Sequence, residues 1–135
     1  VRKLTDHIVE GDSVNHQLEI EVRDDPGQGG ANHRYSIIGF HTASNPATKP
    51  DLLGEPQNQL LILFQNGPIR EAGVNGITHE ALLAILIDRL KAFQKGPFPS
   101  SNTDTALLHC SAALSALKNR TVERMARGVE GTHQK

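Results

Sequence analysis

Apolar residues alternate with glutamates over 18–22 (Leu18-Glu19-Ile20-Glu21-Val22), the period of two that sets one face of a strand on a core and the other in water. Asp24 and Asp25 are followed by Pro26, Gly27, Gly29 and Gly30, which cannot sustain a ladder, so a loop is predicted. Residues 35–40 carry apolar side chains on both faces and predict a second strand, central in its sheet. Residues 42–58 contain Pro46, Pro50 and Pro56 among polar residues and form a long connection. A third strand is predicted over 60–65, and Asn66-Gly67 supplies the positive φ of a tight turn. The chain is expected to double back there through Pro68-Ile69-Arg70 as an edge strand. Residues 1–15 have weak periodicity and read either as a short strand or as an arm onto a partner.

The spacing then changes to that of helices. Thr78 caps a helix with Glu80 in its first turn, and Gly96 stands where a C-cap belongs. Its Leu82, Leu83, Ile85, Leu86, Ile87, Leu90 and Phe93 cover more than one stripe, which predicts burial on two sides. After Gly96-Pro97-Phe98-Pro99, a second helix is expected to begin near Asp104, capped by Ser101, Asn102 or Thr103. Leu107, Cys110, Leu114 and Leu117, continued by Met125, form its apolar stripe, and Gly128 ends it. These elements predict an α+β fold: one domain over 1–135, with a small antiparallel sheet at about 17–74 and a helical hairpin at about 78–128.

Composition narrows the chemistry. A formal charge of -1 gives no global attraction to nucleic acid or anionic lipid, so an anion site has to be local. The single Cys110 excludes an internal disulfide and a cysteine zinc site, and fits a reducing compartment. No apolar run approaches the roughly 20 residues of a membrane span. A cytoplasmic protein is expected. The loop at 27–30 lacks the Lys-Ser/Thr pair of a phosphate loop, and the seven histidines show no metalloenzyme spacing, so neither a metal site nor a catalytic one is predicted. His109 and Cys110 are adjacent on one helix, point about 100° apart and cannot form a dyad.

Two features remain open at the level of residues. Arg120, Arg124 and Arg127 share one helix face at i, i+4 and i+7, either as a row of phosphate-binding guanidinium forks or as a solvated face paired with Glu123. Phe93 and Phe98 flank the Gly-Pro turn, either as stacking surfaces for a base or as core anchors. The amides of Asn66, Gly67, Asn75 and Gly76 are sufficiently explained as turn formers.

Three ordered stretches resemble one family: 64–76 (Phe-Gln-Asn-Gly-Pro-Ile-Arg-Glu-Ala-Gly-Val-Asn-Gly), 80–90 (Glu-Ala-Leu-Leu-Ala-Ile-Leu-Ile-Asp-Arg-Leu) and 126–132 (Ala-Arg-Gly-Val-Glu-Gly-Thr). A fourth, 29–35 (Gly-Gly-Ala-Asn-His-Arg-Tyr), belongs to the same likeness. The family is the phage anti-Thoeris sponge, which shares its helical hairpin with the anti-CBASS sponge. The resemblance implies homo-oligomers, dimers or hexamers, that hold glycocyclic ADP-ribose, and in the wider family cyclic di- or trinucleotides, between subunits without breaking a bond. It marks Phe93 as the ligand aromatic and Arg120 and Arg124 as basic positions of the second helix. Family members carry Cys-Arg-Glu-Asn where this chain has Ser100-Ser101-Asn102-Thr103, so the pocket asparagine falls on Thr103, or on Asn102 after a one-residue slip.

The reading is therefore a non-enzymatic sponge in the cytoplasm of an infected bacterium, needing no cofactor. Its ligand-binding set is Phe93, Asn102, Thr103, Arg120, Arg124 and Arg127, near the helix junction at a subunit boundary. A nucleotide-processing enzyme and a protein-binding adaptor are the rivals.

Overall fold

The computed structural model describes residues 1–48 and 56–128. Its fold is α+β, as the pattern predicts, and the chain divides into two compact units, Val1–Asn66 and Gly67–Lys135.

The first unit is a four-stranded antiparallel sheet in the order β1-β2-β3-β4, built from β1 (Arg2–Leu4), β2 (Glu19–Val22), β3 (Arg34–Ile38) and β4 (Gln59–Leu63). The three runs predicted as strands all become strands. The open choice for the N-terminus resolves as a strand, with Arg2 opposite Val22 and Leu4 opposite Ile20. β3 is an inner strand, as expected from its apolar residues on both faces; Val22 and Ser36 are buried in this unit, and Tyr35 meets Phe64 edge-on at 5.7 Å. Gly39 follows β3 at φ 100°, and a Cβ there would sit 1.9 Å from the Gln17 carbonyl oxygen.

The predicted loop after β2 is anchored by Asp24. Its carboxylate accepts the His33 N–H at 2.9 Å and the Arg34 N–H at 3.1 Å, while its carbonyl accepts the Asn32 amide at 2.7 Å. Desolvation raises the pKa of this carboxyl. The backbone hydrogen bonds and the charge interaction with His33 outweigh it, so Asp24 titrates below its ordinary 3.8. A lowered folded-state pKa contributes stability that is present above pH 3.8 and lost as pH falls through the folded value. Asp24→Ala is expected to melt at a lower temperature at neutral pH, with a shallower loss of melting temperature into acid than the parent. Parallel acid melting curves check this.

The second unit departs from expectation at its start. Gly67 has the positive φ of the predicted turn, at 94°, but the chain does not return as a strand. Pro68 instead caps one helical turn, α1 (Ile69–Ala72), whose Glu71 and Ala72 N–H groups donate to the Pro68 carbonyl at 3.1 and 2.8 Å. A helix start leaves the first N–H groups without intrahelical partners, so proline's missing donor costs nothing there and would break a ladder.

α2 (His79–Lys95) begins and ends at the predicted caps: the Thr78 hydroxyl accepts the Ala81 N–H, and Gly96 closes the last turn. α3 (Ser101–Ala126) starts three residues earlier than expected, because the Ser100 hydroxyl accepts the Thr103 N–H at 3.1 Å. Gly128 follows its end at φ 72°. The helices pack on each other as an antiparallel hairpin. Among the more buried positions, a series recurs at alternate steps of three and four, with Glu80, Leu83, Ile87, Leu90 and Gln94 on α2 and Thr103, Leu107, Cys110, Leu114, Leu117, Thr121 and Arg124 on α3, flanked by Leu82, Ala106 and Ser111. This is the seam of a short coiled coil. The α3 stripe continues through Thr121 and Arg124 rather than through Met125, which is exposed. Only Ile87 of the α2 apolar residues is buried; Ile85, Leu86 and Phe93 are about half exposed.

Candidate functional site

The junction between α2 and α3 is held by one side chain. The Gln94 amide nitrogen donates to the Ser100 carbonyl at 3.1 Å and to the Asp104 carboxylate at 2.6 Å, and its oxygen accepts the Ser100 N–H at 3.0 Å. This clamp places the first turn of α3, and with it Asn102, exposed, and Thr103, half-buried, whose hydroxyl accepts from Ser100 at 3.0 Å. Phe93 precedes the clamp and is 47% exposed, too open for a core anchor. The Arg89 guanidinium lies 5.8 Å from its ring centroid. Phe98, at 73%, is more open still.

The arginines stand at the opposite end of the hairpin. The Thr121 hydroxyl donates to Glu80 at 3.4 Å, so this part of α3 lies beside the start of α2. Arg120 is exposed there, and Arg124, on the seam, is half-buried. Arg127 is the exposed C-cap. From Asn102 to Arg120 the helix rises about 27 Å at 1.5 Å per residue. The six expected site residues therefore form two groups, Phe93 with Asn102 and Thr103, and Arg120 with Arg124 and Arg127. No small nucleotide touches both within one protomer.

Arg89 and Gln94 were missed by sequence reasoning. Arg89 had a signal, an arginine four residues before an exposed aromatic. Gln94 had none, since its partners lie across the turn. Among the described residues no three His, Cys, Asp or Glu side chains gather into a metal-binding group, and no helix is long and apolar enough to cross a membrane. The sheet unit has an open depression of about 780 Å³ lined by Gln17, Ile38, Gly39, Phe40, His41, Asn58 and Gln59, none of them an expected site residue.

Residues 56–121, which include α2 and most of α3, match the family described as the Acb2/Tad1 hairpin domain. The segment that forms the helical hairpin is thus similar to the Acb2/Tad1 hairpin domain. A relative, Thoeris anti-defense 1 of Bacillus phage SBSphiJ7, is 46% identical over 72 residues, which are 53% of this chain and 51% of the relative. The chain thus spans about half the length of the curated relative it matches. Both matches agree with the family resemblance read from the residues. Phe93, Asn102, Thr103 and Arg120 lie inside the matched segment, whereas Arg124 and Arg127 lie just beyond it.

Proposed function

We propose that this protein is a phage anti-defence sponge that binds and sequesters a cyclic nucleotide immune signal in the cytoplasm of the infected cell, without breaking a bond in it. The observation that carries the reading is the match of residues 56–121 to the Acb2/Tad1 hairpin domain, seen together with a relative named for anti-defence against Thoeris. Glycocyclic ADP-ribose is the ligand class implied for this site, with cyclic di- and trinucleotides as further members. An adenine ring stacks on Phe93, and Asn102 or Thr103 supplies hydrogen bonds beside it. Arg120, Arg124 and Arg127 supply the charge that its phosphates need.

The distance between these two groups supports an oligomer. A second hairpin laid antiparallel brings the junction of one protomer beside the arginines of the other, so that each pocket draws on both. The exposed Leu86, Leu108, Val122 and Met125 offer apolar surface for that contact. Sedimentation at micromolar concentration is expected to show a dimer or larger, and a monomer would remove the shared pocket.

The function is tested by incubating the protein with glycocyclic ADP-ribose, removing unbound ligand, releasing the rest by heat and chromatographing it. Intact recovery supports capture. A converted product indicates a nucleotide-processing enzyme, and no retention at micromolar concentration favours a protein-binding adaptor.

Phe93→Ala is expected to lower affinity by about 1–3 kcal/mol through lost stacking, with the oligomer intact. If it splits the oligomer instead, the ring is an interface anchor.

A further inference from the structure

The edge of the sheet formed by β4 is self-complementary. β4 pairs with β3 on one side and, among the described residues, ends the strand order on the other. The Phe64 N–H donates to the His33 carbonyl at 2.8 Å, and these residues stand opposite each other in the register that also pairs Arg34 with Leu63. Hydrogen-bonded pairs alternate along an antiparallel ladder, so Leu60 and Ile62 turn their backbone groups toward β3. Gln59, Leu61 and Leu63 turn theirs away from it.

Such an edge is normally blunted by a charge, a proline or a bulge. Gln59-Leu60-Leu61-Ile62-Leu63 has no charge and no proline, and its Leu60, Leu61 and Leu63 are 49%, 48% and 45% exposed. We propose that β4 docks onto β4 of a second copy of this chain, antiparallel, about a two-fold axis at Leu61. The outward residues are odd in number and centred on Leu61. In that register Leu61 exchanges both hydrogen bonds with its own counterpart, and Gln59 does the same with Leu63. Every outward group is used, and no like charges meet. A two-fold contact uses the same patch on both partners, which this strand satisfies. The two sheets become one of eight strands. The contact is separate from the one across the helical hairpins and does not depend on the ligand.

The test uses the full chain with Cys110→Ser, carrying either Leu61→Cys or Leu63→Cys, under oxidised glutathione. Across the axis the two Leu61 Cα atoms stand about 5.5 Å apart, within disulfide range. The two Leu63 positions are separated by roughly 14 Å along the strands. A covalent dimer is expected from Leu61→Cys and not from Leu63→Cys. Leu61→Pro removes an outward N–H and leaves the β3–β4 bonds in place, so it is expected to lose one association step in sedimentation velocity. The proposal is overturned if folded Leu61→Cys stays uncrosslinked, if both cysteines react equally, or if folded Leu61→Pro sediments as the parent does.

Discussion

Gly39→Ala is expected to lower the melting temperature by roughly 10 °C or more, the largest stability loss among the substitutions considered. Two costs combine. At φ 100° the backbone is in a region that L side chains rarely adopt, a strain of about 1–3 kcal/mol. The new methyl also meets the Gln17 carbonyl oxygen at 1.9 Å, its carbon at 2.9 Å and the Leu18 Cα at 3.3 Å. These are backbone atoms just before β2, so relief requires the approach to β2 or the end of β3 to move. Thermal melting by circular dichroism measures the loss, and the exposed Gly11→Ala, with a positive φ but open space for its Cβ, is the control for strain alone. Equal losses would mean that the close approach contributes nothing.

Arg120→Gln and Arg124→Gln are each expected to weaken binding of glycocyclic ADP-ribose about ten- to a hundredfold, on the proposed function. A hydrogen bond to a charged group is worth about 1.5–3 kcal/mol, and each 1.4 kcal/mol is tenfold in affinity. Arg120 is the cleaner test because it is exposed, whereas Arg124 sits on the helix seam. The loss is measured by titration at two salt concentrations, with oligomeric state followed in parallel. Weaker salt dependence in the variants is the mark of a lost phosphate contact. Unchanged affinity in both folded variants would return Arg120 to a solvated face and leave Arg124 a residue of the helix seam.

What was legible in the sequence follows from how local each determinant is. β2 was readable because alternation reports directly which face meets a core, and β3 and β4 because short apolar runs bounded by turn residues mark buried strands. The Asn66-Gly67 turn was readable and its sequel was not: a positive φ at Gly67 serves a hairpin and a helix entry equally, and Pro68 decides for the helix. The start of α3 was misplaced because Ser100, Ser101, Asn102 and Thr103 include four competent caps in a row. Gln94 selects among them through contacts across the turn. The candidate site was legible by residue type but not in space. Phe93 and the arginines each carry a ligand-like signature, and only the antiparallel register, fixed by Gln94 with Asp104 and Thr121 with Glu80, places them at opposite ends.

The Gln94 clamp has a consequence for the junction. It grips the backbone of Ser100 and the carboxylate of Asp104, so the turn is built without the side chains of Ser101 and Asn102. Both are exposed on the first turn of α3, beside Phe93's end of the hairpin. Substitutions there change what the junction presents while the helices keep their register. On the proposed function, recognition at this junction can thus be retuned one residue at a time without rebuilding the turn.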